Sequence, residues 1–255
     1  MQKMIVTDLD GTLLNTDKKI TERTRKALEA CHEKGMRIAF ATARPLRAVK
    51  PYVQEVPCDG VVYHNGSSVL VNQDSLAKNH RIPAARVRTL MKRLTAAFPG
   101  KKLSVEMNDA LYANFDVSYY WSYTDGVTTD FTNLPDGEAD KIVAELDDSN
   151  DFNRIQEALS AQEYAQICEG ALCLIMNRQA TKLNGVNMLC QHWSIPLQEV
   201  IAFGDDYNDL EMIVACGTGV AMGNAIEPVK EAADFVTRSN DQDGVADFLK
   251  REGLC

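Results

Sequence analysis

The amino-acid sequence predicts an α/β protein whose core is a doubly wound, Rossmann-like parallel sheet, interrupted by an inserted α+β domain. In residues 1–81 and again in 180–255, short apolar segments alternate with segments of helical periodicity. Strand–helix–strand order of this kind favours a parallel sheet with helices on both faces. Residues 82–179 instead mix helices with strand pairs around turn residues. We therefore expect the outer segments to form one core and the middle segment a separate unit.

In the first segment, apolar runs predict the strands, and capping and turn residues place the helices. A threonine precedes the first helical stripe and a glycine ends it, while a proline stands in the first turn of the second helix. An Asn-Gly pair separates the last two strands as a hairpin. In chain order we predict a strand at Lys3–Thr7, a helix from Thr21 to Gly35, a strand at Met36–Ala41, a helix from Pro45, and a hairpin of Val61–Tyr63 with Ser67–Val71.

The middle and last segments are interpreted in the same way. The polar, aromatic-rich stretch Asp116–Gly137 shows little periodicity and is left without an element. In the middle segment we predict helices at Ile82–Phe98 and Asp151–Leu159, with strands at Leu103–Met107, Leu111–Phe115, Lys141–Leu146, Tyr164–Cys168 and Leu172–Met176. In the last segment we predict helices at Val186–Trp193 and Leu210–Cys216, strands at Val200–Phe203 and Gly219–Met222, and further helices from Ile226 and Gly244.

Composition excludes several classes of protein. The 255 residues include 27 basic and 36 acidic side chains, a formal charge of −9, which disfavours nucleic acid as a partner. No apolar run approaches the ~20 residues of a membrane span, and charge follows too soon after Met1 for a signal peptide. Seven scattered cysteines without a C-x-x-C pair favour reduced thiols and argue against zinc. We expect a cytoplasmic protein, monomeric or weakly dimeric.

The most informative segment is Asp8-Leu9-Asp10-Gly11-Thr12, directly after the first predicted strand. In open α/β sheets, the carboxyl ends of the strands form the ligand-binding edge. Gly11 lets the chain turn there without steric cost. An acidic strand end capped by a turn is the alternative interpretation. The similar Asp241-Gln242-Asp243 is assigned no role.

A second acidic segment, Gly204-Asp205-Asp206-Tyr207-Asn208-Asp209, follows the strand Val200–Phe203. Carboxylates packed this closely repel one another unless a cation offsets them. An Asp-rich helix N-terminus is the alternative, and we assign Asp206 to that role. If both strands lie in one parallel sheet, Asp8, Asp10 and Asp205 converge. Oxygen ligands with open positions suit Mg²⁺, which binds carboxylates together with a substrate phosphate.

Two further strand ends offer groups for a phosphate. Thr42 and Ala43 follow Met36–Ala41 and supply a hydroxyl and a backbone amide. Thr42 could instead cap the helix that begins near Pro45. Lys182 lies where the chain returns to the core, and most lysines at such positions are simply solvated.

Taken together, these segments resemble the haloacid-dehalogenase superfamily of phosphotransferases. They match its D-x-D-G-T, Thr, Lys and G-D-x-x-N-D motifs, in order, at the predicted strand ends. The long insertion between Thr42 and Lys182 is similar to the larger cap of the Cof-type sugar-phosphate phosphatases. The resemblance thus makes residues 1–81 with 180–255 the catalytic core and 82–179 the cap domain, whose Asp116–Gly137 stretch is a candidate for setting specificity.

The resemblance implies a Mg²⁺-dependent phosphomonoesterase acting on a small phosphorylated substrate such as a sugar phosphate. It implies that Asp8 attacks phosphorus to give an aspartyl-phosphate. Asp10 then serves as general acid and base, a role for which we expect a raised pKa. The implied metal ligands are Asp8, the Asp10 carbonyl, Asp205 and, in a supporting position, Asp209. The implied phosphate ligands are the amides of Leu9 and Ala43 and the side chains of Thr42, Lys182 and Asn208.

Two other functions fit the same residues. A phosphomutase would pass the phosphoryl group to a second hydroxyl instead of water. A non-catalytic phosphometabolite-binding protein would keep the pocket without turnover, although binding alone needs neither the Asp8 nucleophile nor the Asp10 acid.

Overall fold

The computed structural model describes residues 2–72, 74–75, 79–119, 126–168 and 172–255, and it contains two sheets with helices packed against them. The contacts between Cα atoms divide the chain into two units, Met1–Asn79 with Thr181–Cys255, and His80–Ala180. The first part of the chain contains β1 (Met4–Thr7), α1 (Glu22–Glu33), β2 (Arg37–Ala41), α2 (Leu46–Val53), β3 (Gly60–Tyr63), β4 (Ser68–Val71) and β5 (Asp74–Ser75). The second unit contains α3 (Ala84–Ala97), β6 (Leu103–Met107), β7 (Ala110–Ala113), β8 (Gly126–Thr128), β9 (Lys141–Glu145), α4 (Ser149–Ala158), β10 (Glu163–Cys168) and β11 (Leu172–Asn177). The last part contains α5 (Lys182–Trp193), β12 (Val200–Gly204), α6 (Leu210–Ala215), β13 (Thr218–Ala221), α7 (Glu227–Ala232), β14 (Phe235–Val236) and α8 (Gly244–Arg251).

The sheet of the first unit has eight strands in the order β14-β13-β12-β1-β2-β3-β4-β5. The central strand β1 pairs in parallel with β12 on one side and with β2 on the other, so that Thr7 lies level with Phe203 and Phe40. Among the described strands of this sheet, the pairs β3–β4 and β4–β5 are antiparallel and the others are parallel. The carboxyl ends of β1, β2 and β12 therefore lie at one edge. The prediction of an α/β core with a largely parallel sheet is confirmed.

Alternation along β1 gives this sheet a hydrophobic core on each face. Met4 and Val6 belong to a cluster that includes Leu189 of α5. Ile5 points the other way and belongs to a cluster that includes Leu28 of α1 and Phe248 of α8. Because both faces are covered by helices, β1 is buried throughout its length.

Capping residues set the limits of the helices. The Thr21 hydroxyl accepts a hydrogen bond from the Thr24 amide and caps α1, and Gly35, with φ +87°, follows the helix end. Both features are as predicted. The predicted start of α5 at Val186 is wrong, since the helix begins at Lys182. Thr181 is its N-cap and accepts a hydrogen bond from the Asn184 amide.

The second unit is an α+β arrangement, as predicted. Its sheet has the order β10-β11-β9-β6-β7-β8, and its strand pairs are antiparallel apart from β7 with β8. Leu90 of α3 and Ile155 of α4 share a cluster with Val105 and Ile175 of the sheet. The unit therefore buries a core of its own.

Three short strands lie where the sequence predicts none. They are β5, β8 and β14, with two, three and two residues. The strand β8 falls within the stretch Asp116–Gly137 that the sequence leaves without an element. The part of this stretch at residues 120–125 lies outside the described residues.

None of the helices within the described ranges is both long enough and apolar enough to traverse a bilayer.

Candidate active site

The carboxyl edge of the core sheet brings a lysine against two aspartates. Asp8 follows β1, Asp209 lies in the turn after β12, and Lys182 is the first residue of α5. The Lys182 Nζ donates to Asp8 Oδ1 at 2.8 Å and to Asp209 Oδ1 at 2.6 Å. All three side chains are buried. Lys182 is therefore a buried ion-pair partner, and the alternative of a solvated surface lysine is wrong.

Asp205 joins Asp8 and Asp209 in a cluster of carboxylates. Each of the three offers an oxygen, and these oxygens lie within 4.8 Å of one another. Clustered carboxylate oxygens suit hard cations such as Mg²⁺ and Ca²⁺. This group of three aspartates could hold a metal ion.

The cluster has more negative than positive charge, three carboxylates against one ammonium. Burial raises the pKa of Asp8 to about 8, and Asp209 adds to this effect while Lys182 opposes it. Burial is also the main cause that raises the pKa of Asp205 to about 6. Burial disfavours the charged form of Lys182, but Asp209 and Asp8 outweigh it, so the pKa of Lys182 is raised. A bound cation would offset the excess negative charge, so the residues present fit a metal ion.

Asp209 also stabilises the loop Asp205–Asp209 through hydrogen bonds to its backbone. Its Oδ2 accepts hydrogen bonds from the amides of Asp205, at 3.0 Å, and Asp206, at 3.2 Å. A Cβ at Gly204 would lie 2.4 Å from the Cβ of Asp209, so only glycine permits this approach. Asp206 accepts from the Tyr207 amide and caps the short turn Tyr207–Asp209, the role that the sequence suggests for it.

Residues of the first acidic segment, Asp8–Thr12, hold the side chain of Asp205 in place. The Thr12 hydroxyl donates to Asp205 Oδ1 at 2.6 Å. Gly11 has φ +75°, and a Cβ there would lie 2.3 Å from Asp205 Oδ2. Sequence reasoning did not assign Thr12 a role, although its place within the D-x-D-G-T motif was the available signal.

The side chain of Asp10 is not part of the three-aspartate cluster and instead contacts two cations. Arg44 binds its carboxylate with two nitrogens, at 2.6 Å and 2.7 Å, and the Lys18 Nζ donates to it at 2.7 Å. Burial acts to raise the pKa of Asp10, but the hydrogen bonds from Arg44 and Lys18 outweigh it and lower that pKa to about 2. The expectation of a raised pKa is therefore wrong for this structure. Sequence reasoning missed both cations.

Three further predicted phosphate ligands, Thr42, Ala43 and Leu9, follow the strands β2 and β1. The Thr42 hydroxyl accepts from the Arg44 amide at 3.2 Å. The N-cap of α2 is Pro45, so the alternative that Thr42 caps this helix is wrong. Ala43 lies between Thr42 and Arg44, and Leu9 is a core residue whose carbonyl accepts from the Leu14 amide.

Asn208, in the turn Tyr207–Asp209, is placed by a residue from a different part of the chain. Its Nδ2 donates to Asn65 Oδ1 at 3.1 Å. Asn65 belongs to the turn after β3, to which the sequence analysis gave no functional role.

Comparisons with known proteins agree with this fold. Residues 5–249 match the family model described as haloacid dehalogenase-like hydrolase. The 5-amino-6-(5-phospho-D-ribitylamino)uracil phosphatase YitU of Bacillus subtilis (strain 168) is 30% identical over 261 residues, which covers 97% of this chain and 96% of that protein. The solved structure of BT1666 from Bacteroides thetaiotaomicron, described among phosphatases of the same superfamily, is 26% identical with a TM-score of 0.87, covering 100% of this chain and 96% of that one. That of BT4131, a subclass IIB sugar phosphatase, is 25% identical with a TM-score of 0.83, covering 100% of both chains.

The fold, the acidic edge of the sheet and these relatives define an enzyme of the phosphatase class. The match spans nearly the whole sequence and includes every motif segment at the edge. The chain belongs to the haloacid dehalogenase-like hydrolase family, and its Cof-type resemblance is confirmed.

Proposed function

We propose that this chain is a Mg²⁺-dependent phosphomonoesterase that hydrolyses small phosphorylated metabolites through an aspartyl-phosphate on Asp8. The observation that carries the proposal is the buried Asp8 carboxylate, held by Lys182 and surrounded by the carboxylates of Asp205 and Asp209. Attack on phosphorus requires the ionised form of Asp8, which Lys182 and a cation at the cluster would favour over the protonated form.

The proposed reaction has two displacements at phosphorus. In the first, an Asp8 oxygen bonds to phosphorus while the ester oxygen leaves with a proton from Asp10. In the second, water attacks the aspartyl-phosphate, releases inorganic phosphate and returns Asp8 as a carboxylate. Asp10 is ionised in the free protein, because Arg44 and Lys18 stabilise its charge. It is therefore ready to accept the proton of the attacking water, and must take up a proton before it can protonate a leaving group.

The phosphate group of the substrate would bind at the same edge, to one charged side chain and several hydrogen-bond donors. Lys182 supplies a fixed positive charge, and Thr42, Asn208 and the amides of Leu9 and Ala43 supply hydrogen-bond donors for the phosphoryl oxygens. Charge neutralisation and positioning account for most of what a phosphoryl transfer requires. Asp8, Asp205 and the Asp10 carbonyl would hold Mg²⁺, with Asp209 supporting them through Lys182 and the loop amides. When bound, the ion supplies positive charge that lets an anionic ester approach a carboxylate.

The proposed substrate is a sugar or sugar-alcohol phosphate. The names of two relatives support this class, since one is a sugar phosphatase and the other acts on a phosphorylated ribityl compound. We place the specificity residues in the unit His80–Ala180, which supplies none of the predicted catalytic groups.

The test is phosphate release from p-nitrophenyl phosphate and a panel of sugar phosphates, with Mg²⁺ and with excess EDTA. We expect turnover with Mg²⁺, loss of turnover with EDTA, and loss of at least roughly 10³-fold in kcat for Asp8→Asn, the scale seen when a nucleophile is removed. Glu33→Gln, which removes an exposed carboxylate at the end of α1, is the matched control and should keep wild-type rates.

The same assay separates the alternative functions. Equal rates in Mg²⁺ and EDTA, or full activity of Asp8→Asn, would contradict the proposal. Transfer of the phosphoryl group to a second substrate hydroxyl would identify a phosphomutase. Binding of phosphate esters without any turnover would identify a binding protein.

A further inference from the structure

The turn His64–Gly66, which follows β3, has an unusual backbone. Its three residues have φ values of 48°, 54° and 92°, all in the left-handed region. Two of them are not glycine, and all three are buried. Left-handed residues other than glycine are uncommon, and a run of them persists only where the surrounding structure holds it in place.

The turn is bonded to the loop that carries Thr42. The Asn65 amide donates to the Thr42 carbonyl at 2.9 Å, and the His64 amide donates to the Arg44 carbonyl at 3.0 Å. These two bonds fix the loop on both sides of Ala43. Because Thr42 and the Ala43 amide are proposed phosphate ligands, the turn sets where those two donors lie.

The turn also reaches the other two phosphate-binding segments. The Asn65 side chain accepts the hydrogen bond from Asn208 described above and is itself only 6% exposed. A Cβ at Gly66 would lie 2.0 Å from the carbonyl oxygen of Thr181, the residue before Lys182. The turn thus contacts three separate segments that carry proposed phosphate ligands or lie next to one.

We propose that Asn65 is a positioning residue that holds the Asn208 amide toward the substrate phosphate, within a turn that sets the spacing of the phosphate-binding segments. The inference rests on the proposed function for the identity of the ligand. It concerns a residue that touches the phosphate ligands and is not itself counted among them.

The side-chain role and the backbone role of Asn65 can be separated by two substitutions. Asn65→Gly removes the acceptor for Asn208 while keeping a residue that adopts φ +54° without cost. Asn65→Ala removes the acceptor and also strains the turn. Asn72→Gly is the matched control, because Asn72 has φ +46° and is exposed on the turn after β4.

The measurement is steady-state hydrolysis of p-nitrophenyl phosphate with Mg²⁺, with inorganic phosphate as inhibitor. For Asn65→Gly we expect the inhibition constant for phosphate and the KM to rise about three- to tenfold, the range of one lost hydrogen bond. In the background of Asn208→Ala, Asn65→Gly should add no further effect, because the group that it positions is already absent. Asn72→Gly should leave both constants unchanged.

A purely structural role predicts a different pattern. It lowers the thermal midpoint and the fraction of active enzyme, and hence the apparent kcat, but leaves the phosphate inhibition constant unchanged. That pattern, additive effects in the double variant, or an Asn65→Gly protein that does not fold would each overturn the inference.

Failure of the proposed function gives a distinct result. If the wild type hydrolyses no ester, that function is wrong, and calorimetric titration with inorganic phosphate in the presence of Mg²⁺ decides the inference instead. Weaker phosphate binding by Asn65→Gly than by the wild type would support it. Equal binding, or no binding by the wild type, would overturn it.

Discussion

Asp8 and Asp205 hold their protons more tightly than ordinary carboxylic acids, because they are buried beside other carboxylates. In the unfolded chain both groups ionise near pH 3.8. Between that pH and their folded-state pKa values, about 6 for Asp205 and about 8 for Asp8, the folded protein binds more protons than the unfolded one. The free energy of unfolding therefore falls as the pH rises through this window.

A cation at the cluster should reverse this trend. Since Mg²⁺ binds the ionised carboxylates in competition with protons, we expect it to raise the thermal midpoint more at pH 8 than at pH 6. Differential scanning calorimetry with Mg²⁺ and with EDTA at both pH values measures the effect. Asp205→Asn should lose most of it. A Mg²⁺-induced shift of the same size at both pH values would contradict the assignment of Asp8 and Asp205 as competing proton and metal sites.

Asp10 shows the opposite behaviour because it has two cations as partners. Arg44 makes two hydrogen bonds to Asp10 and is mostly buried, whereas Lys18 makes one and is largely exposed. We expect Arg44→Met to move the pKa of Asp10 up from about 2 toward the ordinary 3.8, and Lys18→Met to move it less. A ¹³C NMR titration of the Asp10 carboxyl checks the order. A larger effect of Lys18→Met would show that the Arg44 contact does not control Asp10.

At the level of the elements, the His64–Gly66 turn lies close against the residue before α5. Gly66→Ala would place a methyl group 2.0 Å from the Thr181 oxygen, at φ +92°. We expect it to lower the free energy of unfolding by roughly 2–4 kcal/mol, from strain and overpacking together. Urea unfolding measures this. Gly35→Ala is the control, since its φ is +87° with open space around the added Cβ, and it should cost only about 1 kcal/mol. Equal costs would mean that the contact with Thr181 can relax.

The long elements of the core could be predicted because their signals are local. Apolar runs marked β1, β2 and β12, and Thr21 with Gly35 marked the ends of α1. The strands β5, β8 and β14 are two or three residues long, and their pairing depends on neighbours distant in the chain. Periodicity needs more residues than these strands have.

The candidate site likewise contains residues that the sequence indicates and residues that it does not. Asp8 and Asp205 could be singled out because each lies at a strand end, and parallel strands bring such ends together. Lys182 is indicated only by the family resemblance. The contacts of Lys18 with Asp10 and of Asn65 with Asn208 could not, because Lys18 and Asn65 are themselves left-handed residues in turns. Hydrogen bonds of this kind depend on geometry that single-sequence patterns do not contain.

At the scale of the whole molecule, the proposed chemistry belongs to one of the two units. The predicted catalytic, metal and phosphate ligands all belong to Met1–Asn79 with Thr181–Cys255. Because the formal charge is −9, an anionic substrate would be attracted only by local cations, of which Arg44, Lys18 and Lys182 lie at the acidic edge. Phosphate binding should therefore depend on these few residues and not on the general field of the protein.

The unit His80–Ala180 should fold without the rest of the chain. It has the size of an ordinary domain, a six-stranded sheet and its own hydrophobic cluster against α3 and α4. Its two ends are fixed within the unit, because the Asn177 side chain donates to the Arg81 carbonyl and Ile82 pairs with Ala139. We expect the isolated unit to unfold cooperatively in urea, followed by circular dichroism. Its midpoint should be unaffected by Mg²⁺, since the three-aspartate cluster lies in the other unit, whereas the midpoint of the full chain should rise. A gradual transition would show that the second unit depends on the first for its core, and a Mg²⁺ effect on the isolated unit would show that the cluster does not account for metal binding.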